Sequence, residues 1–434
     1  MTWNQLVAST GLSRSTILAG CALLLAVTSG RADEPAANRP RVRLSSFGTL
    51  GLAHSSQADV HATRGWGQAD TFEGAWSWRL DSLLGVQMNA TLTDKIDAAV
   101  QVVAKDRHQR TLEQSLEWAF LAWQPFDGLV LRGGRLGIDI YMLSDYRNVG
   151  FAYLWQRPPL EFYGPLFPFH VDGVDLTYQM PVGSGTLLTR LFAGTTEQRI
   201  ELQTDLGIDT LELNPFWGGS LSYESEHWRL KAGFAQIRFA NNPASLASSG
   251  LLAGLENPLV NHVWPQAAGS AEEVKMQGKG GGFYSLGAAF EDTTWLISGE
   301  LGYLDSDWKP VRDSLSAYLS IGRRWGDVTP YLLLSSIRPV DADPAIFAPS
   351  PTALNDPTLA ALYGATRTLY RELWSEQHTL SLGLRWDMTH NLALKFQWDR
   401  SDIESGGLWS NHSGVEPLPN TQVDLFSASL NWMF

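Results

Sequence analysis

Residues 422–434 read Gln-Val-Asp-Leu-Phe-Ser-Ala-Ser-Leu-Asn-Trp-Met-Phe. Phe426, Ala428, Leu430, Trp432 and Phe434 are apolar, and Ser427, Ser429 and Asn431 fall between them. An alternation of period two gives a β-strand one oily face and one wet face. At the end of the sequence, such a strand suits a sheet whose last strand closes onto its first and leaves no edge. A soluble sheet can produce the pattern once, so the reading rests on its recurrence.

The 434 residues are 44% hydrophobic, with 40 glycines and 18 tryptophans. Beyond the N-terminus no apolar run approaches the roughly 18 to 20 residues of a membrane-spanning helix, which excludes a helical membrane protein. Abundant glycine with abundant tryptophan fits tightly twisted β-structure carrying interfacial aromatic belts. Core packing in a large soluble all-β protein is the alternative.

Arg14 precedes an apolar run from Ile17 to Val27, followed by Thr28, Ser29, Gly30, Arg31 and Ala32. This reads as an export signal over residues 1–32, cleaved near Ala32. The single cysteine, Cys21, lies inside the run, and Leu18-Ala19-Gly20-Cys21 also matches a lipoprotein cleavage box. Without residues 1–32 the chain has no cysteine and so no disulfide. Loss of Arg14 and Arg31 leaves 30 basic against 45 acidic side chains, a net charge of −15. That balance disfavours nucleic acid as a partner.

Residues 33–41 are polar with two prolines and read as a short periplasmic lead-in to a barrel over 42–434. The first strand is Val42–Ala53. A loop follows, and then Trp76, Trp78, Leu80, Leu84, Val86 and Met88 form one face of a long strand, with Arg79, Asp81, Gln87 and Asn89 on the other. The chain turns at Thr93–Asp94 and returns over Ile96–Asp106. Hairpins follow at Leu116–Leu131, turning over 125–128, and at Val174–Leu191, turning over 183–185. Further strands are expected over 215–224, 228–239, 282–291, 294–304, 313–325, 328–338, 376–388 and 391–401. The total is sixteen strands with seven tight turns on one side and eight longer connections on the other. An even strand number with this asymmetry is the pattern of a transmembrane antiparallel β-barrel with short periplasmic turns and long external loops. Lipid offers no hydrogen bonds, so such a sheet must close. Sixteen strands also leave a lumen too wide for side chains alone to fill.

The connection over 138–172 contains Tyr141, Tyr146, Phe151, Tyr153, Trp155, Phe162, Tyr163, Phe167 and Phe169. Nine aromatics are costly to leave in water, so the segment is expected to pack on the nearest surface, the inner wall, and to narrow the pore. An external cap or a subunit contact is the alternative. Its ionisable groups are Asp139, Asp145, Glu161 and Asp172 against Arg147 and Arg157.

The export signal, sixteen strands, terminal Phe434, the run Leu131-Arg132-Gly133-Gly134-Arg135 and the long connection after strand five together resemble the Gram-negative outer-membrane porins. The resemblance covers the chain after residue 32. It implies that the third external loop folds inside as an eyelet, with acidic residues facing a basic ladder. Gly134 and Arg135 match that family's fifth-strand Gly-Arg, and Pro159-Leu160-Glu161-Phe162-Tyr163-Gly164 matches its Pro-Glu-Phe-Gly-Gly segment in part. The resemblance also implies a homotrimer, contact with outer-membrane lipid and lipopolysaccharide, and small hydrophilic solutes as cargo. The second external loop, a latch between subunits in trimeric porins, has only about eight residues here.

Strand parity places Arg79, Arg132, Arg190, Arg229, Lys231, Arg324, Arg385 and Lys395 on the lumen face. Asp81, Asp97, Glu117, Asp175, Glu300, Asp387 and Asp399 share it. Charge on the lipid face would cost about 2 to 4 kcal/mol near the midplane, and rings of charge are how wide pores discriminate ions. The expected constriction set is Arg79, Arg132, Arg135, Asp139, Asp145, Arg147, Arg157, Glu161, Arg385 and Lys395, with Arg79, Arg385 and Lys395 facing the segment.

The nine histidines are scattered, and no Gly-x-Ser-x-Gly, His-Glu-x-x-His or phosphate loop occurs. Neither a catalytic residue nor a cofactor or metal is expected. A passive diffusion channel needs none of these. The competing readings are a substrate-selective channel, an adhesion or binding protein using loops 240–281 and 339–375, and a barrel enzyme with a dispersed triad. Within those loops Ala244–Leu255 and Pro357–Leu369 read as local helices.

Overall fold

The computed structural model describes residues 41–434 apart from 66, 67, 69, 70, 108–110, 166, 167, 201–208, 342–346, 407 and 412–419. The expected export signal with Cys21, the lead-in up to residue 40, and Phe167 lie outside the described residues.

Among the described residues, one sheet joins the two-residue strand Trp76–Ser77 to sixteen long strands. They are β1 (Arg41–Ser55), β2 (Leu83–Thr93), β3 (Ile96–Lys105), β4 (Leu116–Phe126), β5 (Leu129–Gly137), β6 (His170–Val182), β7 (Gly185–Ile200) and β8 (Asp209–Glu224), followed by β9 (Trp228–Phe239), β10 (Gly280–Glu291), β11 (Trp295–Ser306), β12 (Ser314–Arg323), β13 (Val328–Pro339), β14 (Ser375–Thr389), β15 (Leu392–Gly406) and β16 (Thr421–Met433). Sequence neighbours pair antiparallel, and β1 closes the ring on β16 with Phe47 opposite Met433 and Leu50 opposite Leu430. The seven short connections alternate with eight longer ones as the sequence predicts. Turn chemistry fixes the short side. Between β10 and β11, Asp292 Oδ1 accepts the N–H groups of Thr294 (2.7 Å) and Trp295 (2.6 Å), and these bonds hold its carboxyl below the usual range.

Burial is inverted relative to a soluble protein. On β16, Ser427, Ser429 and Asn431 are buried while Phe426 is 52% exposed. On β14, Ser381 is 1% exposed and its neighbour Leu382 is 47% exposed. Leu221, Leu230, Leu286, Leu301, Leu319 and Leu334 continue this apolar exterior around the ring. A contiguous exposed apolar belt over a polar interior is the surface that lipid, not water, would solvate.

Two expected strands differ. The run from Trp76 is not continuous with β2. Trp76–Ser77 makes a two-residue pairing with β1, and Ser77 Oγ then accepts the N–H groups of Arg79 and Leu80 while donating to Thr71. These local bonds replace ladder bonds and bend the chain, so Leu80 is buried against Ala53, Ile403 and Val423 instead of facing outward. The strand expected from Pro215 begins earlier, at Asp209, and its register shifts between Leu213 and Phe216. A proline lacks the N–H for a regular ladder and is accommodated at such an irregularity.

Among the described residues, seven short or medium helices lie in the long connections: α1 (Leu112–Ser115), α2 (Leu160–Tyr163), α3 (Ala244–Ser248), α4 (Leu251–Leu255), α5 (Pro258–Val263), α6 (Ala267–Val274) and α7 (Pro357–Glu372). The helix expected over Ala244–Leu255 is interrupted at Gly250, which takes φ 73°. Asp356 Oδ1 caps α7 by accepting the Thr358 N–H at 2.8 Å, and Pro357 occupies the first turn where no N–H is needed. Leu359, Leu362, Tyr363, Thr366 and Tyr370 then recur on one face. That face packs on α3, α4 and α6 around the buried Trp264. Trp264 Nε1 donates to the Phe347 carbonyl (2.8 Å), and the Tyr370 hydroxyl donates to Glu273 (2.7 Å). Two loops far apart in sequence thus form one cap, joined to the loop after β11 where Trp308 Nε1 donates to the Val274 carbonyl (2.8 Å).

Candidate functional site

Described residues of the connection from β5 to β6, 138–169, contact inward side chains of distant strands. Its aromatic content decides this: Tyr141, Tyr153, Trp155, Phe162 and Tyr163 are buried in one cluster with Phe192 on β7, Phe216 on β8, Phe283 on β10, Tyr318 on β12 and Tyr331 on β13. Phe162 and Tyr318 meet edge to face at 5.6 Å, as do Trp155 and Tyr318 at 5.1 Å. Glycines on both the wall and the segment allow the approach. A Cβ on Gly233 of β9 would overlap the Ile140 backbone, and one on Gly150 would overlap Thr49 of β1 and Asn431 of β16.

Polar bonds fix the segment on the remaining strands. Lys395 on β15 donates its three ammonium protons to the carbonyls of Gly150, Tyr153 and Trp155, each at 2.6 Å. Arg385 on β14 donates to the carbonyls of Phe151 (2.7 Å) and Tyr153 (2.9 Å) and lies over the Phe151 ring. Arg157 bridges Asp81 (2.6 Å) and Asp399 on β15 (3.0 Å). Glu161 accepts from Ser335 on β13 (2.6 Å), and from Gln377 and Thr379 on β14. Asp139 binds Lys231 on β9, Arg190 on β7 (3.4 Å) and Ser220 on β8 (3.0 Å). Glu300 on β11 accepts the Met142 N–H (2.8 Å) and the hydroxyls of Tyr163 and Tyr318. Buried charge is tolerated because each group is paired or fully hydrogen-bonded.

A second cluster stands where the chain enters β4. Gln101 pairs with Trp118 and Val102 with Leu116, so Glu117 is left unpaired in a bulge that turns it inward. It accepts from Lys105 (3.0 Å), Arg107 and Arg147 (2.7 Å). The bulge also brings Phe120 inward, under Arg132 at 4.9 Å, and leaves Leu121 and Trp123 exposed. Unbroken parity from the lumen-facing Glu117 would put Trp118 and Phe120 outward.

Of the expected constriction residues, Arg385 and Lys395 face the segment, and Asp139, Arg147, Arg157 and Glu161 are buried on the inner side. Asp145 lies at its edge, half-exposed, 3.5 Å from Arg190. Arg132 is on the inner side, paired with Asp175 on β6. Two expectations are corrected. Arg79 lies in the bend before β2 and pairs with Asp106 (2.7 Å), because the Ser77 turn removes it from strand parity. Arg135 falls on the outer face, opposite Asp172 and Ala119, and binds Asp172 at 2.8 Å. Three residues of spacing from the inward Arg132 put it on the other side of the pleat. Sequence reasoning missed Arg107, Gln377 and Gln397. Arg107 lies in a loop where parity gives no signal, and a strand glutamine reads as ordinary lumen polarity.

The barrel is similar to OmpF of Salmonella typhi, solved in complex with daunomycin, with a TM-score of 0.53 over 93% of this chain and 100% of that one at 9% identity. It is similar to the outer membrane channel DcaP of Acinetobacter baumannii, with a TM-score of 0.51 over 93% of this chain and 100% of that one at 9% identity. No protein-family model and no curated protein matches the chain. The fold is therefore the sixteen-stranded barrel of the outer-membrane channels.

Proposed function

We propose that this chain is an outer-membrane porin in which segment 138–169 folds into the lumen and narrows a water-filled path for small hydrophilic solutes and ions. The observation that carries the reading is that one segment touches inward side chains of β1 and of β7 through β16, while the outward side chains of the same strands form an exposed apolar belt. Contact with both halves of a closed ring supports a position inside it. The anchoring differs from the eyelet the resemblance implies: acids on the segment are consumed by wall residues, and Lys395 and Arg385 hold carbonyls instead of standing free. The constriction is then set by residues that the anchoring leaves exposed, Asp145 among them.

Export by residues 1–32 with Asp33 as the first mature residue, insertion among outer-membrane lipid and lipopolysaccharide, and assembly as a homotrimer complete the proposal. The test is to refold residues 33–434 in detergent, insert the protein in a planar bilayer and record under a KCl gradient. Stepwise conductance with a defined reversal potential supports the reading. Silence from a folded, heat-modifiable barrel overturns it and turns attention to the adhesion and enzyme readings. Cross-linking in native membranes decides trimer from monomer.

A further inference from the structure

We infer that the cavity between the β3–β4 rim and segment 138–169 is a binding site for a small organic carboxylate with an apolar body. It deepens the channel reading by naming a solute class and rests on that reading for its biological sense. The cavity is open to solvent, with an envelope of about 1230 Å³ that includes the open space at its mouth. Its described lining contains Arg64, Lys105, Arg107, Arg147, Arg157 and Arg199 against two carboxylates, Asp106 and Glu117. Adding the partners just outside, Asp81 and Asp399 on Arg157 and Arg79 on Asp106, seven described cations meet four carboxylates. An excess of three positive charges sits in a chain whose net charge is −13. A low-dielectric pocket of one sign focuses the field and concentrates the opposite ion.

A second, independent observation points to a ligand. Arg147 is 8% exposed at its side chain, and its Nε is a buried donor with no hydrogen-bond partner; His170 Nε2 is likewise unpartnered, and both residues line this cavity. Arg147 already gives Nη2 to Glu117 (2.7 Å) and Nη1 to the Ser144 carbonyl (3.4 Å). A buried unsatisfied N–H is unfavourable; both nitrogens are enclosed by protein, and a turn of the guanidinium toward the cavity would let a carboxylate oxygen satisfy the Arg147 N–H. Leu80, Leu116, Leu160 and Phe169 line the same space and give it an apolar floor. Guanidinium groups beside an apolar floor suit an aromatic or aliphatic acid better than a bare inorganic ion.

The test is calorimetric titration of the detergent-folded barrel with benzoate, with benzamide as the neutral isostere and inorganic phosphate as competitor. Wild type is expected to bind benzoate, benzamide to bind at least tenfold more weakly, and Arg147→Gln and Arg64→Gln each to raise the benzoate Kd about tenfold. Arg147→Lys, which keeps the charge facing Glu117, guards against misfolding, and heat-modifiable migration checks each variant. Equal binding of benzoate and benzamide, unchanged affinity in folded Arg147→Gln, or displacement by phosphate at lower concentration than by benzoate overturns the site. Because the titration needs no current, a silent barrel that binds benzoate sinks the channel reading and leaves the site standing.

Discussion

Lys395 Nζ stands 2.6 Å from the carbonyl oxygen of Trp155, and the Lys395 side chain is wholly buried. With the Gly150 and Tyr153 carbonyls also at 2.6 Å, one ammonium holds residues 150–155 of the segment to β15. Lys395→Met keeps the aliphatic stem and removes every donor. Each carbonyl left unpaired costs about 1 to 3 kcal/mol, so segment 138–169 is expected to detach while the barrel persists. Single-channel conductance should rise and become noisy, and protease should cut the segment in the folded protein. Conductance and protection identical to wild type would show that Lys395 is not an anchor.

Arg157 carries the opposite polarity of the same device. It is buried between Asp81 and Asp399, so Arg157→Met leaves two buried carboxylates facing each other, a loss of about 3 to 5 kcal/mol. Replacing the acids as well, in Arg157→Met with Asp81→Asn and Asp399→Asn, removes the uncompensated charge and should recover much of the loss. Thermal unfolding followed by heat-shifted migration reads both. If the triple variant is no more stable than the single one, the cost lies in packing and not in charge.

The ring was legible because lipid and lumen impose opposite demands on adjacent residues: Phe426 and Ser427, or Leu382 and Ser381, must differ wherever the strand is regular. Legibility failed wherever a side chain bonds the backbone or a bulge resets parity. Ser77 bends the chain and carries Arg79 and Leu80 off the strand, and the Glu117 bulge exchanges the faces of Phe120 and Leu121. The burial of the aromatic segment followed from hydrophobicity alone. Apart from Arg385 and Lys395, which wall residues it meets did not, because pairs such as Glu161 with Ser335 are separated by 174 positions and no local pattern encodes them.

The cap should come apart without the barrel. Trp264 fills the centre of the helical cluster, and Trp264→Ala is expected to cost about 3 to 5 kcal/mol there, along with the bond to the Phe347 carbonyl. The strands share few of those contacts, since the cluster is built from the two long loops and α3 to α7. Limited proteolysis should then cut within 244–274 and 357–372 while heat-modifiable migration stays unchanged. A lowered barrel melting temperature would show that the cap and the sheet unfold as one unit.

The exterior is the decisive surface. Were this sheet solvated by water on its outer face, Leu382→Arg would be close to neutral, since Leu382 is 47% exposed and touches the cross-strand Leu332 and Trp398 positions at a pleat already open. In lipid the same substitution costs about 2 to 4 kcal/mol near the midplane. Ser381→Arg, one residue away, moves the charge to the inner face, where Asp399 lies directly across the strand pair. The penalty there is steric crowding rather than charge. We therefore expect Leu382→Arg to lower the refolding yield into lipid vesicles and Leu382→Met, which keeps an apolar face, to leave it unchanged. An Arg at 382 that refolds and inserts as readily as wild type would place the apolar belt against something other than lipid.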